Sequence, residues 1–417
     1  MTRIAYALAW WLATPFILLR LAWRSRRQPG YLERLGERFG RYAPAERVPR
    51  IWIHAVSVGE TRAAEPLIAE LRPRFPRHRI LVTHMTPTGR ETGTALFGDA
   101  VERAWLPYDY RFATRRFLAH FAPDVGIVLE TEIWPRLLEE CSRAGVPAVL
   151  ANARLSERSM HGYARWPSLT RWALGNFTAI FTQARDDARR FEVLGARAPV
   201  AMGNVKFDLA VPDAMIERGR GLRALFGDRP VWVAGSTRDG EEALLLDAFE
   251  KVDPQPLLVV VPRHPQRFDE VAALAGARGF APARRSRETS VPAATRVVIG
   301  DSMGEMLAYY AAADVVIMGG SLLPFGSQNL IEACAVGKPV IVGASTFNFE
   351  EAAASAIAAG AAIRVADARA AIEAAAELMR DAGKREEMGE KARAFVSTHR
   401  GAAGRIADAV AALARVR

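Results

Sequence analysis

Cysteine is nearly absent. Cys141 and Cys334 are the only two in 417 residues and lie far apart, which argues against a disulfide framework or a cysteine zinc site and fits a reducing compartment. The seven histidines are scattered without ligand spacing, so no built-in metal is expected. No Gly-x-Gly-x-x-Gly follows the first strand-like run of either half, and no Gly-x-x-x-x-Gly-Lys-Ser/Thr loop occurs; dinucleotide dehydrogenases and P-loop NTPases are therefore unsupported. Long basic runs interleaved with aromatics are missing too, so nucleic acid is not an expected partner. Acidic residues are in deficit, however: the net charge is +10, and a surplus of that size favours an anionic partner such as a nucleotide sugar or an acidic lipid.

One stretch lacks charge altogether. Ile4 to Leu19 contains Trp10, Trp11 and Phe16 and is followed at once by Arg20, Trp23, Arg24, Arg26 and Arg27. As a helix it spans roughly 24 Å against a hydrocarbon core of ~30 Å, a margin that snorkelling of Arg20 extends. An uncleaved anchor, spanning or interfacial, is expected over 1–28. The downstream arginines place the rest of the chain in the cytoplasm, and no small-residue cleavage site precedes them. Tyr31, Leu32, Leu35 and Phe39 then recur at helical spacing, fitting a helix on the membrane surface or one packed on the first domain.

Beyond the anchor the chain is long enough for two cores. Short apolar runs alternate with amphipathic stretches: strands are expected at 51–55, 80–83, 125–129, 148–151 and 180–182, and again at 231–234, 257–261, 297–299, 315–318 and 340–342. The fold class is α/β, with two doubly wound, Rossmann-like domains at 29–210 and 211–417. The last two helical stretches, 384–398 and 402–415, have no strand after them, and by fold analogy the final helix crosses back to the first domain.

Candidate chemistry falls where strands end. In IWIHAVSVGE, the Ser57-Val58-Gly59 turn delivers Glu60 to a helix start, where a carboxylate can take a proton from an incoming hydroxyl; a first-turn Glu that complements the helix dipole fits as well. Gly59 permits close substrate approach. In LETEIWPR, Glu130 and Glu132 stand at i and i+2, facing one side if the segment is extended; they orient hydroxyls, hold basic side chains or form an N-terminal acidic cluster. Arg154, in NARLSERS, suits a carboxylate or phosphate, or is a solvated surface arginine. Lys206, in GNVKFD, is placed to stabilise charge on a departing group, although most such lysines lie on the surface.

The second half reads as the nucleotide side. Ser236 and Thr237 lie between strand and helix, where N-terminal donors hold phosphate. Pro262, Arg263 and His264 end the next strand, Arg263 being suited to a bidentate phosphate contact. Met303, Gly304 and Glu305 follow another strand and can read a base or ribose, although helix capping by Ser302 with Glu305 explains them too. In Gly319 to Glu351, the Asn329-Leu330-Ile331-Glu332 run opens a helix and sets Asn329 and Glu332 one turn apart.

IWIHAVSVGE, PRHPQRF and GDSMGEM, together with ETEIWP and GNVKFD, resemble the Kdo (3-deoxy-D-manno-octulosonic acid) transferases over almost the whole chain. That family moves Kdo from CMP-Kdo to a lipid A precursor, lipid IVA, in Gram-negative bacteria. The resemblance implies two facing Rossmann-like domains of GT-B type and a metal-independent, inverting displacement with no cofactor. By it Glu60 is the general base, Glu130 supports the transition state, and Lys206 stabilises charge. Ser57, Gly59, Glu132 and Arg154 then lie on the acceptor side. Ser236, Thr237, Pro262, Arg263, His264, Met303, Gly304, Glu305 and Asn329 to Glu332 bind CMP-Kdo, with Glu332 on the ribose. It further implies an inner-membrane protein with its domains on the cytoplasmic face, against an anionic membrane surface. Two departures stand out: Ser327 replaces a glycine of the Gly-Gly-His/Gln-Asn turn, and Ser345 replaces a histidine before Thr346-Phe347-Asn348. A same-fold transferase with another nucleotide sugar and lipid acceptor is the nearest rival, and an idle nucleotide-sugar or lipid-binding protein the next.

Overall fold

The computed structural model describes residues 2–26, 28–252, 256–288 and 290–414. Met1, Arg27 and Arg415, which fall within the expected anchor, its arginine cluster and the last helix, lie outside the described residues. The chain divides into two compact units, Met1–Asp208 with Arg400–Arg417, and Leu209–His399.

In the first unit seven parallel strands, β1 (Arg50–His54), β2 (Arg79–His84), β3 (Glu102–Trp105), β4 (Val125–Leu129), β5 (Ala148–Ala153), β6 (Ala179–Thr182) and β7 (Val200–Ala201), form one sheet in the order β3-β2-β1-β4-β5-β6-β7. β1 pairs on one side with β2, Ile51 opposite Ile80, and on the other with β4, Ile51 opposite Val125. The central strands are buried on both faces, as a helix-covered parallel sheet requires. Ile51 and Ile53 enter a core shared with the Val58–Arg74 and Ala402–Ala414 helices, whereas Trp52 enters the core on the opposite face. Strand order reverses between β1 and β4, which opens a crevice at their carboxyl ends.

The second unit repeats the plan with β8 (Val231–Thr237), β9 (Leu257–Pro262), β10 (Ala283–Arg284), β11 (Val297–Ile299), β12 (Val315–Met318), β13 (Val340–Val342) and β14 (Ala362–Arg364), ordered β10-β11-β9-β8-β12-β13-β14. Its reversal falls between β8 and β12. The ten strands expected from the sequence are all present; β3, β7, β10 and β14 are additional, and all four are sheet edges.

The Arg3–Ser25 helix, 23 residues, is long and apolar enough to cross a membrane. One side of it is docked on the first unit. Tyr6 donates its hydroxyl to Asp109 at 2.7 Å, Arg3 pairs with Glu139 at 2.9 Å, and Trp10 packs among Tyr108, Tyr110 and Trp134. The other side exposes Ile4, Leu12, Phe16 and Leu19. The segment after it is not the continuous helix that its spacing suggests but two short 3-10 turns, Pro29–Tyr31 and Leu35–Phe39. Glycine ends the second: Gly40 has φ +74°, and a Cβ there would stand 2.7 Å from the Ala113 carbonyl, so the chain must turn away.

Candidate functional site

At the crevice of the first sheet, β1 leads through Ala55 and Val56 into the Val58–Arg74 helix. Ser57 is its N-cap and Glu60 its N3 residue. The Glu60 carboxylate reaches back so that Oε2 accepts the backbone N–H groups of Val56 and, at 3.2 Å, Ser57, as in a capping box; Oε1 has no hydrogen-bond partner among the described residues. The dipole-complementing role is therefore real, but it is not the whole account. Glu60 is only 9% exposed, and burial, then the charges of Glu130 and Glu132, push its pKa up to about 8 against the pull of the two N–H donors. A carboxylate held near neutrality at a strand's carboxyl end has the proton affinity a general base needs.

Glu130 and Glu132 do share the neighbourhood of Glu60, but not through extended backbone. Glu130 has φ +58°, in the left-handed region that is strained for a non-glycine residue, and the chain turns there. Glu132 accepts the Trp134 indole N–H at 3.0 Å, and burial raises its pKa, with the Glu130 charge adding to the rise. Lys206 Nζ meets Glu130 Oε1 at 2.7 Å, so a cation sits within a cluster of three carboxylates. The Arg154 loop lies beside this turn, its carbonyl accepting the Thr131 hydroxyl at 3.1 Å. Gly59 is not demanded by the protein itself: a Cβ there would meet nothing nearer than Ser57 Oγ at 4.0 Å.

A set of amides that sequence reasoning passed over fixes Lys206. Buried Asn152, at φ +54°, accepts the Val205 N–H at 3.1 Å, and its carbonyl accepts the Gln183 amide at 3.0 Å. Gln183 in turn accepts from Asn204 at 3.0 Å, and Asn204 Oδ1 takes the Lys206 N–H at 3.0 Å. The sequence showed only a glutamine immediately after a strand; its burial came from the structure. Asp208 accepts the N–H groups of Gly401 and Ala403, which ties the turn to the last helix.

In the second unit the end of β8 and the loop after β12 meet backbone to backbone. A Cβ on Gly319 would stand 2.4 Å from the Ser236 carbonyl, so glycine is required. Fully buried Glu241 organises the turn, accepting the N–H groups of Gly320 at 2.6 Å, Leu322 at 2.9 Å and Arg238 at 2.8 Å. Its neighbour Glu242 takes the Thr237 hydroxyl and Arg267, each at 2.7 Å. Neither glutamate stood out in the sequence, where the pair reads as an ordinary first helical turn. Pro262 ends β9 opposite Thr237, and Arg263 donates its N–H to the Thr237 carbonyl at 3.0 Å. Ser236, Arg263 and Glu332 converge on buried Tyr310, whose pKa rises by burial and then by the Glu332 charge. His264, exposed at the surface, has its pKa lowered by partial desolvation and then by Arg238, Arg263 and Arg267, so positive charge accumulates here.

Other expected residues take different places. Glu305, rather than Ser302, is the N-cap of the Met306–Ala312 helix. The Glu305 carboxylate accepts the Ser302 hydroxyl and pairs with Arg218 at 3.1 Å and Arg285 at 3.5 Å. Met303 is exposed and Gly304 has φ +79°. Asn329 caps the Leu330–Ala335 helix, accepting from Ile331 at 3.2 Å and donating to Glu332 at 3.1 Å. Leu330 and Ile331 are fully buried, so their side chains belong to the core and only their backbone is available to a ligand. Ser345, given no role above, accepts the Gly326 N–H at 3.0 Å and steadies the glycine turn that carries Ser327.

Residues 33–209 match the family profile described as 3-deoxy-D-manno-octulosonic-acid transferase (kdotransferase), and residues 243–395 match glycosyl transferases group 1. The chain is 45% identical to the 3-deoxy-D-manno-octulosonic acid transferase of Bordetella pertussis, covering 98% of this chain and 99% of that one. It is 36% identical to that of Haemophilus influenzae, covering 98% of each. Among solved structures it is similar to the UDP-GlcNAc 2-epimerase of Neisseria meningitidis, with TM-score 0.59, 15% identity, and coverage of 88% of this chain and 100% of the other. Anabaena HepE gives TM-score 0.56, 14% identity, and 87% and 99% coverage. At such identities the structural likeness is one of fold, that of the GT-B glycosyltransferases.

Proposed function

The chain belongs to the Kdo transferase family and is a glycosyltransferase, and from that premise we propose that it transfers Kdo from CMP-Kdo to lipid IVA by an inverting displacement. The observation that carries the mechanism is Glu60, a buried carboxylate with its pKa near 8 beside the Glu130–Lys206 pair. In this reading Glu60 takes the proton of an acceptor hydroxyl, and the oxygen forms a bond to the anomeric carbon of Kdo. The bond from that carbon to the phosphate oxygen breaks, and CMP leaves with the electron pair. Inversion follows from the single displacement. Lys206 opposes the charge that develops, while Ser236, Thr237, Arg263 and the turn held by Glu241 receive the nucleotide and Glu332 its ribose.

The membrane assignment rests on the first helix, whose exposed Ile4, Phe16 and Leu19 lie opposite its docked side and whose end carries Arg20, Arg24 and Arg26. In this reading the protein works at the cytoplasmic face of the inner membrane, the arginines meeting anionic headgroups.

Incubating the purified full chain with tetraacylated lipid A precursor, CMP-Kdo being generated in place, is expected to yield product heavier by one or more Kdo units. No mass gain from a preparation that still binds CMP would overturn the donor and acceptor named here. The turn is tested separately. Glu241→Ala strands the buried Gly320 N–H, at a cost of ~1–3 kcal/mol, and frees the part-buried N–H groups of Leu322 and Arg238. It is expected to weaken CMP binding in calorimetry by at least about tenfold; an unchanged Kd would remove the turn from the donor site.

A further inference from the structure

We infer that Trp10 is a positioning residue for the carboxylate loop, so that the first helix belongs to the transfer machinery as well as to any membrane contact. The inference rests on the proposed role of Glu60 and its carboxylate neighbours. Trp10 lies on the docked side of the helix, its ring 6.1 Å from that of Trp134 with 36° between the planes. Trp134 also meets buried His54, ring centroids 6.4 Å apart with 74° between the planes, so the indole contacts both the helix and the end of β1. Its N–H donates to Glu132 at 3.0 Å, and Glu132 is one of the two charges acting on Glu60.

A second tie runs alongside. Asp109, 2% exposed, takes the Tyr6 hydroxyl at 2.7 Å, the Arg136 N–H at 2.9 Å and the Leu137 N–H at 2.7 Å. One carboxylate thus joins the first helix to the start of the Pro135–Arg143 helix, which the carboxylate loop enters. Arg136 adds a bond to the Arg3 carbonyl at 2.9 Å. The loop from Glu130 to Trp134 has no regular backbone of its own, so its far end takes its place from these contacts. A hydrophobic anchor needs none of them, because its apolar exposed side suffices.

The test separates the two sides of the helix on a water-soluble, deacylated acceptor, without vesicles. Trp10→Ala is expected to lower kcat by ~10- to 100-fold with the KM for CMP-Kdo unchanged, and Trp10→Phe to restore most of it. The acid limb of kcat/KM should fall by about half a pH unit in Trp10→Ala. The groups acting on Glu60 are Glu130, Glu132 and the Val56 and Ser57 N–H donors, with the Lys206 ammonium held against Glu130, and release of Glu132 removes one repelling charge. Leu12→Ser, on the exposed side, should turn over this acceptor normally yet sediment less with phosphatidylglycerol vesicles. Wild-type turnover and pH profile in Trp10→Ala would overturn the inference, as would a loss that Trp10→Phe does not rescue and that leaves the limb in place. Glu60→Gln serves as control: full activity there would condemn the base assignment itself, whatever Trp10 does.

Discussion

Replacing Glu60 by glutamine is expected to lower kcat by ~10²–10⁴-fold, the range that general-base catalysis contributes, while CMP binding in the second unit stays intact. Glutamine keeps the shape and can still accept from the N-cap backbone, so the fold has no reason to fail. The wild-type kcat/KM should rise with pH along a limb near 8, because only ionised Glu60 accepts a proton and burial, with Glu130 and Glu132, holds its pKa at about 8; the limb should vanish in the variant. Stability should move the opposite way. The folded pKa lies above the ordinary 4.5, so this group favours the fold below pH 4.5, and that contribution is lost as pH rises to about 8. At pH 9 Glu60→Gln is then more stable than wild type, and even ~1 kcal/mol would raise Tm by roughly 2–4 °C in a unit of this size. Thermal melts at pH 5 and 9 check the sign: equal melts at both would show that the ionised carboxylate is not penalised.

Lys206→Ala is expected to cost ~10²–10³-fold in kcat, as removal of one preorganised charge-stabilising group does. The ammonium lies 2.7 Å from Glu130, and without it three carboxylates face one another uncompensated. Pairing the change with Glu130→Gln makes the argument sharper. Groups in contact couple by roughly 0.5–3 kcal/mol, so the double variant should fall little below Lys206→Ala alone, because the partner whose charge Lys206 balances is then neutral. Single-turnover rates for the four proteins at pH 9 decide the matter: strictly multiplicative losses would mean that lysine and glutamate act independently.

The interior of both sheets was legible because a strand buried on two faces must be apolar along its length, as Val125–Leu129 and Val315–Met318 are. The edges were not. β3 begins Glu-Arg, β7 is exposed and two residues long, and β10 and β14 each end in arginine; a strand paired on one side carries no such requirement. The site divides in a similar way. Glu60 and Lys206 could be picked out through the family motifs that carry them, since a first-turn glutamate and a loop lysine each have an ordinary structural explanation as well. Asn152, Gln183, Asn204 and Glu241 work by holding backbone, and polar residues in loops look alike until their partners are known. Glu130 and Glu132 lie near Glu60 for a reason other than the extended backbone that their spacing suggested, since the left-handed turn at Glu130 leaves no trace in a spacing argument.

The return of the Ala402–Ala414 helix to the first unit bears on the order in which the chain can fold during synthesis. Ala64, Leu67 and Leu71 of the Val58–Arg74 helix share a core with Ile406, Val410 and Ala411, so the first unit emerges from the ribosome without part of its own interior. An entire second unit is translated before the cover arrives. Domains ordinarily complete themselves in the order they are made, and apolar surface left waiting is prone to aggregate. For this chain the half that emerges first is the last to close, and a nascent chain arrested after Asp208 should bind chaperones more strongly than one released in full.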